Sequence, residues 1–219
     1  MRRRGADAAA TAPAWPQIER IARLFVASGV TKIRLTGARV FARLRRWQRP
    51  EQHSPPPSAG GEPTVRADLE DIATRLGRLP GLRDFGITSN GIVLAKKLPA
   101  LRAAGITAVN ISLDTLVPAK FELLTRRTGH DRVLASVRAA LAAGFAPVKV
   151  NCVVMRGVNE DELLDFVALT RDADINVRFI EYMPFDGNAW AARKMVPYAE
   201  MRATVAAAHP GCVSRRFQQ

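Results

Sequence analysis

The sequence contains few of the residues that form disulfide bonds or bind metal ions. Among its 219 residues are two cysteines, Cys152 and Cys212, and three histidines. Two cysteines are too few for a disulfide framework or for a tetrahedral cysteine site. The histidines, at positions 53, 130 and 209, include no pair with the spacing of metal ligands. A disulfide-stapled scaffold and a resident zinc centre are therefore excluded.

The sequence also lacks a long apolar segment. No run of apolar residues reaches the roughly 18 to 20 that a membrane-spanning helix needs, so we expect no membrane partner. Apolar residues make up 47% of the chain and charged residues 24%. This composition is typical of one globular domain that buries a core.

Acidic residues are scarce at one end of the chain, and most of the net charge of +13 arises there. Residues 1–61 hold 12 Lys and Arg against 3 Asp and Glu, whereas the rest holds 21 against 17. A nucleic-acid-binding face would distribute its basic residues over the folded body, so we expect no nucleic-acid partner. Residues 1–15, rich in Arg and Ala, are interpreted as a disordered terminus or a mitochondrial presequence.

The spacing of apolar residues predicts that helices and strands alternate. Strands are predicted at residues 31–36, 83–88, 108–113, 148–154 and 176–181, with helical periodicity between them. Asn159 and Glu162 predict a capped helix start. Five strands separated by helices predict an α/β fold of parallel βαβ units, as a doubly wound sheet or an incomplete (β/α) barrel. In both folds the ligand binds at the carboxyl ends of the strands.

Two polar segments lie near predicted strand ends. In Gly61-Glu62-Pro63 a carboxylate follows a glycine, so it is suited to accept hydrogen bonds from a ligand ammonium, although such a tripeptide also forms ordinary turns. The segment from Thr88 to Gly91 clusters small hydrogen-bonding groups. They are suited to ribose hydroxyls or to a base edge, and equally to capping the next helix.

Charged side chains also interrupt apolar strands. Lys149 lies in the β-branched strand at 148–154, where burial without a partner is costly. It is interpreted as a phosphate-binding cation or as a Schiff-base lysine of lowered pKa. Arg178 and Glu181 occupy the last strand, where they bind a ligand or form a structural ion pair. Asn151 and Arg34 extend this polar set.

Six segments, in order along the chain, closely resemble the GTP 3',8-cyclase family, the radical S-adenosylmethionine enzymes that begin molybdenum cofactor synthesis. They are KIRLTG at 32–37, GEPTVR at 61–66, GITSNG at 86–91, NISLDT at 110–115, VKVNCVVMR at 148–156 and VRFIEYMP at 177–184. Six ordered motifs are far more specific than any single one. The resemblance covers residues 16–201, with 38–60 as an insertion and 202–219 as an unmatched tail, and implies an incomplete parallel (β/α) barrel of radical SAM type.

The resemblance assigns ligands to individual positions. Four positions fall where the family contacts S-adenosylmethionine: Gly61, Glu62, Ser112 and Met183. Three fall where the family contacts GTP: Arg34, Thr88 and Lys149. The implied reaction converts GTP to (8S)-3',8-cyclo-7,8-dihydroguanosine 5'-triphosphate by means of a 5'-deoxyadenosyl radical. The family role favours Lys149 as a substrate contact over a Schiff-base lysine.

Two departures from the family bear on activity. The family binds 4Fe-4S clusters, one of them through a Cys-x3-Cys-x2-Cys motif, and no such triad occurs in these 219 residues. We therefore expect no catalytic or metal-binding residue in this chain and no turnover by the chain alone. The second departure is 38–60, which interrupts Leu-Thr-Gly-Gly-Glu-Pro. Because PPPSAG at 55–60 can be encoded by a pyrimidine-rich tract ending in CAG, we interpret it as retained intron sequence or a lineage-specific loop.

The resemblance also implies partners and a location. FDGN at 185–188 and VPAKF at 117–121 resemble the eukaryotic branch, which implies the mitochondrial matrix. By family we expect a homodimer and a downstream cyclic pyranopterin monophosphate synthase. Two other hypotheses remain open. One is a non-radical (β/α) enzyme or binding protein that holds a phosphorylated ligand through Lys149 and Arg178, and the other is a basic nucleic-acid-binding module.

Overall fold

The computed structural model describes residues 15–37, 62–183 and 192–211. The described strands are β1 (Lys32–Leu35), β2 (Asp84–Ser89), β3 (Ala108–Ser112), β4 (Val148–Val154) and β5 (Ile175–Glu181). The described helices are α1 (Trp15–Ala27), α2 (Leu69–Gly77), α3 (Leu98–Ala103), α4 (Pro118–Thr125), α5 (His130–Ala142), α6 (Leu163–Ala168) and α7 (Tyr198–Ala208). None of these helices is long and apolar enough to cross a membrane.

The five strands form one sheet whose spatial order follows the sequence, β1-β2-β3-β4-β5, and every neighbouring pair is parallel. A doubly wound sheet reverses its strand order at a switch point, whereas a (β/α) barrel does not. The order therefore decides between the two predicted architectures. The α/β fold is confirmed as an incomplete parallel barrel, with β1 and β5 as the edges of the described sheet.

The sheet has one apolar face, which carries the core. In β4 the residues alternate strictly between buried and half-buried, beginning with a fully buried Val148. The pairing register places the buried residues of β2, β3 and β4 side by side, for example Ile87 beside Val109 and Ile111 beside Val150. Helix α5 contacts both β3 and β4 on this face. Burial of these aliphatic side chains beneath the helices is the main stabilising term of the fold.

Helices α2 and α3 pack against each other through a close backbone approach. A Cβ atom added to Gly77, the last residue of α2, would lie 2.0 Å from the carbonyl oxygen of Ala104, just past α3. No side chain fits in that space, so glycine is required for contact rather than for an unusual φ. The approach lets the buried Leu76 and Leu101 belong to one core.

The structure corrects the predicted start of the helix after β4. The side chain of Asn159 makes no capping hydrogen bond, and the 3₁₀ turn at Glu160–Glu162 precedes α6. Instead, Asn159 Nδ2 donates to the carbonyls of Asp114 and Val153, and Oδ1 accepts from Met155 N. The interpretation of Asn159 and Glu162 as a cap was wrong. The Glu162 carboxylate instead accepts hydrogen bonds from Thr115 Oγ1 and Leu116 N, which lie 47 and 46 positions earlier in the chain.

Other boundaries agree with prediction to within a few residues, and the strand at 148–154 agrees at both ends. Helix α7 runs past residue 201, where the resemblance ended. The predicted insertion at 38–60 and all but the last residue of the predicted terminus at 1–15 lie outside the described residues, and α1 begins at that last residue, Trp15. The division of the chain at these points stays a prediction.

The close approach at Gly77 generates a stability prediction. We expect Gly77→Ala to lower the free energy of unfolding by about 1–3 kcal/mol, because the new methyl group must displace the Ala104 backbone. Chemical denaturation measures the change. Gly211→Ala is the matched control, since a Cβ there meets no atom within 4 Å. Equal stability of both variants would contradict the close packing of α2 and α3.

Candidate ligand-binding site

The second face of the sheet is polar, and we call it the inner face. Because alternate residues of a strand point to opposite sides, the pairing register assigns the inner-face residues. One row across the sheet consists of Thr88, Asn110, Lys149 and Asn176. The next row towards the carboxyl ends consists of Ser112, Asn151 and Arg178. A third row places Arg34 beside Gly86 and Ala108.

This arrangement brings together five of the residues singled out from the sequence. Arg34, Thr88, Ser112, Lys149 and Arg178 belong to β1 through β5 in that order, and all lie on the inner face. Arg34 lies over Gly86, because its Nε is 3.5 Å from the place a Gly86 Cβ would occupy. The missing side chain at Gly86 leaves room for this guanidinium.

The inner face concentrates positive charge around Lys149. Partial burial lowers the pKa of Lys149, and the nearby charges of Arg178, Lys32 and Arg34 lower this pKa further, against a smaller opposing effect of Asp84. Among the ion pairs within the described residues, none involves any of these four cations. Like charges held together without partners are unfavourable, and a multivalent anion relieves this repulsion.

One buried amide in the same row has no partner. Asn110 is 1% exposed, and neither its Nδ2 nor its Oδ1 has a hydrogen-bond partner. It stands between Thr88 and Lys149 in the pairing register. Sequence reasoning did not single it out, although it is a polar residue inside an apolar strand, the same signal that identified Lys149.

The carboxylate of Glu62, which precedes the 3₁₀ turn Pro63–Val65, ties this segment to the end of β2. Glu62 Oε1 accepts hydrogen bonds from Ser89 Oγ at 2.7 Å and from the backbone and hydroxyl of Thr64, while Oε2 accepts from Asn90 N at 2.7 Å. A carboxylate offers about four lone-pair sites, so Oε2 keeps one for a ligand. The predicted contact of Glu62 with a ligand ammonium stays a prediction, and Gly61 lies outside the described residues.

The remaining hydrogen-bonding groups after Thr88 have local roles. Ser89 Oγ accepts from Gly91 N at 3.0 Å, and Asn90 Oδ1 accepts from Ile92 N at 3.1 Å. Ser89 and Asn90 therefore hold the local turn at residues 89–92 and do not cap the next helical turn, whose N-cap is Val93 without a side-chain hydrogen bond. Thr88 is the member of this segment that lies on the inner face.

Ser112 and Met183 lie at the carboxyl edge of the sheet. Ser112 is the exposed last residue of β3, and Met183 follows the end of β5 by two residues and is 54% exposed. Both are accessible to a ligand bound at this edge. Their predicted S-adenosylmethionine contacts stay predictions.

The described residues do not form a site for an iron-sulfur cluster. Cys152 is 1% exposed in β4, and burial, with the charges of Asp114 and Glu162, raises the pKa of its thiol. A neutral buried thiol is a poor metal ligand. Within residues 15–37, 62–183 and 192–211 there is no group of three His, Cys, Asp or Glu side chains that could hold a metal ion. Cys212 lies outside these ranges.

Comparison with known proteins places this chain in a family. The model of the radical SAM superfamily matches residues 10–170, which include all of β1 to β4 and three of the four inner-face cations, Lys32, Arg34 and Lys149. The chain belongs to the radical SAM superfamily. The family implies S-adenosylmethionine and a 4Fe-4S cluster as cofactors. The inner face described above is one side of the parallel sheet of this radical SAM chain.

Two curated relatives share more than half of their aligned residues with this radical SAM chain. It is 55% identical over 185 residues to the mitochondrial GTP 3',8-cyclase of Arabidopsis thaliana, and the aligned region covers 84% of this chain and 42% of that protein. It is 54% identical over 195 residues to molybdenum cofactor biosynthesis protein 1 of Mus musculus, covering 89% of this chain and 27% of that protein. The chain thus spans less than half the length of these relatives.

A solved structure supports the fold. A radical SAM methyltransferase from Sphaerobacter thermophilus superimposes with a TM-score of 0.58 over 87% of this chain and 52% of that one, at 16% sequence identity. At this identity the likeness concerns the fold alone. It agrees with the consecutive parallel strand order of this radical SAM chain.

The hydrogen bonds of Glu62 generate a prediction. We expect Glu62→Ala to lower the free energy of unfolding by about 2 kcal/mol, because Ser89 Oγ and Asn90 N lose a charged acceptor. Thermal and urea unfolding measure the effect. Glu122→Ala, at an exposed position of α4, is the control and should change little. If both variants were equally stable, the carboxylate would not hold this turn.

The lowered pKa of Lys149 generates a second prediction. The charge of Lys149 lowers the free energy of unfolding at every pH below the pKa of this lysine in the folded protein. This destabilisation diminishes as the pH rises from that pKa towards the ordinary value of 10.5, because the folded protein then holds Lys149 neutral. We therefore expect Lys149→Met to raise Tm at pH 7, with a smaller gain near pH 10. Lys96→Met, on an exposed side chain, is the control and should show neither effect. A lower Tm for Lys149→Met at pH 7 would show that the Lys149 charge does not destabilise the folded protein.

Proposed function

We propose that the inner face binds GTP next to S-adenosylmethionine, as part of a GTP 3',8-cyclase acting in the first step of molybdenum cofactor synthesis. The observation that carries the proposal is the cluster of Lys32, Arg34, Lys149 and Arg178, without ion-pair partners among the described residues, in a chain more than half identical to a GTP 3',8-cyclase.

The cation cluster is suited to a polyphosphate. Two guanidinium and two ammonium groups from β1, β4 and β5 offer more positive charge than one carboxylate or one monophosphate can neutralise. One guanidinium group can donate two parallel hydrogen bonds to two oxygens of a phosphate, whereas an ammonium group acts as a point charge. A triphosphate bound across these strands removes the mutual repulsion around Lys149. Thr88, the half-buried residue before the last one of β2, lies beside this cluster as a further substrate contact.

We assign S-adenosylmethionine to the carboxyl edge of the sheet. Glu62 is held against the end of β2, and the free lone pair on its Oε2 accepts from the methionyl ammonium, with Gly61 next to it in sequence as a further contact. Ser112 and Met183, both exposed at this edge, contact the same molecule. S-adenosylmethionine supplies the radical source of the family, and the residues of this chain bind and orient it.

We propose that the ligands of the 4Fe-4S cluster do not come from these 219 residues. A 4Fe-4S cluster is bound by cysteine thiolates, and the sequence holds only Cys152, which is buried as a thiol, and Cys212. We propose that the chain binds both small molecules but has no turnover by itself. The corresponding assay is anaerobic reconstitution with iron and sulfide, in which we expect no stoichiometric cluster.

The relatives extend the proposal to partners and location. By its likeness to the mitochondrial cyclase of Arabidopsis thaliana, we propose that this chain functions in mitochondria, in the matrix. We also propose that two copies of the chain form a homodimer. A cyclic pyranopterin monophosphate synthase is the proposed downstream enzyme that consumes the product. Chromatography with light scattering tests the dimer.

Nucleotide binding tests the central claim. We expect the chain to bind GTP and inorganic tripolyphosphate by isothermal titration calorimetry, more weakly as salt concentration rises. Lys149→Met and Arg178→Met should each weaken both ligands about tenfold or more, because each removes a charge-assisted contact. Lys96→Met is the control. No binding of either ligand, or equal losses in the control, would contradict the proposal.

A further inference from the structure

Asn110, in the middle of β3, carries a side-chain amide that the described residues leave unpaired. Its side chain is 1% exposed, and both its donor and its acceptor lack a partner. A buried amide without hydrogen bonds is costly, and nearly all buried polar groups in proteins are paired. In an apolar strand, an unpaired amide that contributes no stability points to a ligand.

A second buried asparagine shows what a structural role looks like. Asn159 is also 1% exposed, but its amide donates to the carbonyls of Asp114 and Val153 and accepts from Met155 N at 2.7 Å. These bonds join the loop after β3 to the end of β4 and to the turn that follows. Asn110 makes no comparable bonds, so stabilisation of the fold does not account for it.

The position of Asn110 indicates which part of a ligand it meets. It pairs with Lys149 on one side and with Thr88 on the other, and neighbouring strands lie about 4.8 Å apart. A group one strand away from the phosphate-binding Lys149 is placed to meet the part of a nucleotide adjoining the phosphates. That part is the ribose, whose two hydroxyls each donate and accept, as an amide does.

We propose that the Asn110 amide binds the ribose hydroxyls of the nucleotide whose phosphates contact Lys149. This assignment rests on the proposed function, because it assumes a nucleotide on the inner face. It adds a substrate-contacting residue on β3 and makes the site selective for a nucleoside triphosphate over free polyphosphate. A guanine edge is the competing contact, and the experiment separates the two.

A double-mutant cycle tests the contact. GTP, 2',3'-dideoxy-GTP and tripolyphosphate are titrated into the wild-type chain and into Asn110→Leu, which is similar in size and has no polar atoms. We expect the wild type to bind dideoxy-GTP about tenfold more weakly than GTP. We expect Asn110→Leu to bind GTP about tenfold more weakly than wild type, with dideoxy-GTP and tripolyphosphate unchanged. Asn110→Ala serves as a second variant with the same expectations.

Stability supplies an independent readout. Replacing an unpaired buried amide with an apolar group removes a penalty, so Asn110→Leu should raise Tm of the ligand-free chain by a few degrees. Asn159→Leu is the matched control and should lower Tm, because it breaks three hydrogen bonds. A fall in Tm for Asn110→Leu as large as for Asn159→Leu would overturn the ligand role.

The binding outcomes also distinguish the two proposals. Equal weakening of GTP and dideoxy-GTP by Asn110→Leu overturns the ribose contact and favours the base. Weakening of tripolyphosphate as well indicates damage to the sheet and also overturns it. If the wild type binds tripolyphosphate but GTP no more tightly, the ribose contact fails while the phosphate site stands. If the wild type binds neither, the proposed function fails and this inference with it.

Discussion

The organisation of this protein depends on the pairing register of its parallel strands. Side chains alternate between the two faces of a strand, so a fixed register makes one face of the sheet continuous in chemistry. Ile87, Val109 and Val150 thereby form an apolar layer beneath the helices. The same register places Lys149 and Arg178 on the opposite face. A shift of one residue in β4 would turn Lys149 into the core and its buried valines to the inner face.

The inner face carries groups that are unfavourable for folding. Lys149 bears partial burial and the repulsion of neighbouring cations, and Asn110 bears an unsatisfied amide. Neither feature helps the chain to fold, and both are tolerated because the opposite face supplies the apolar burial. Local penalties concentrated at one face are the usual mark of a site formed for binding.

The sequence predicted the architecture well where the signals were local. The β-branched run at Val148–Val154 was located at both ends, and the charged residue within it correctly indicated a polar face. It predicted less well where a side chain had a choice of partners. Asn159 and Glu162 have the spacing of a helix cap, yet both are bound by groups more than 40 positions away, such as Asp114 and Thr115.

Two kinds of information therefore contributed. Hydrophobic periodicity and ordered motifs depend on neighbours along the chain, so the sequence alone determined the α/β class, the five strands and the likeness to a radical SAM family. Tertiary structure alone decided that Asn110 has no partner beside Lys149, and that Glu62 binds Ser89, 27 positions away. Such contacts depend on the strand register and on which distant segments lie side by side. Both are set when the whole sheet packs against its helices, because the free energy of that packing comes from residues far apart in sequence and no local pattern encodes it.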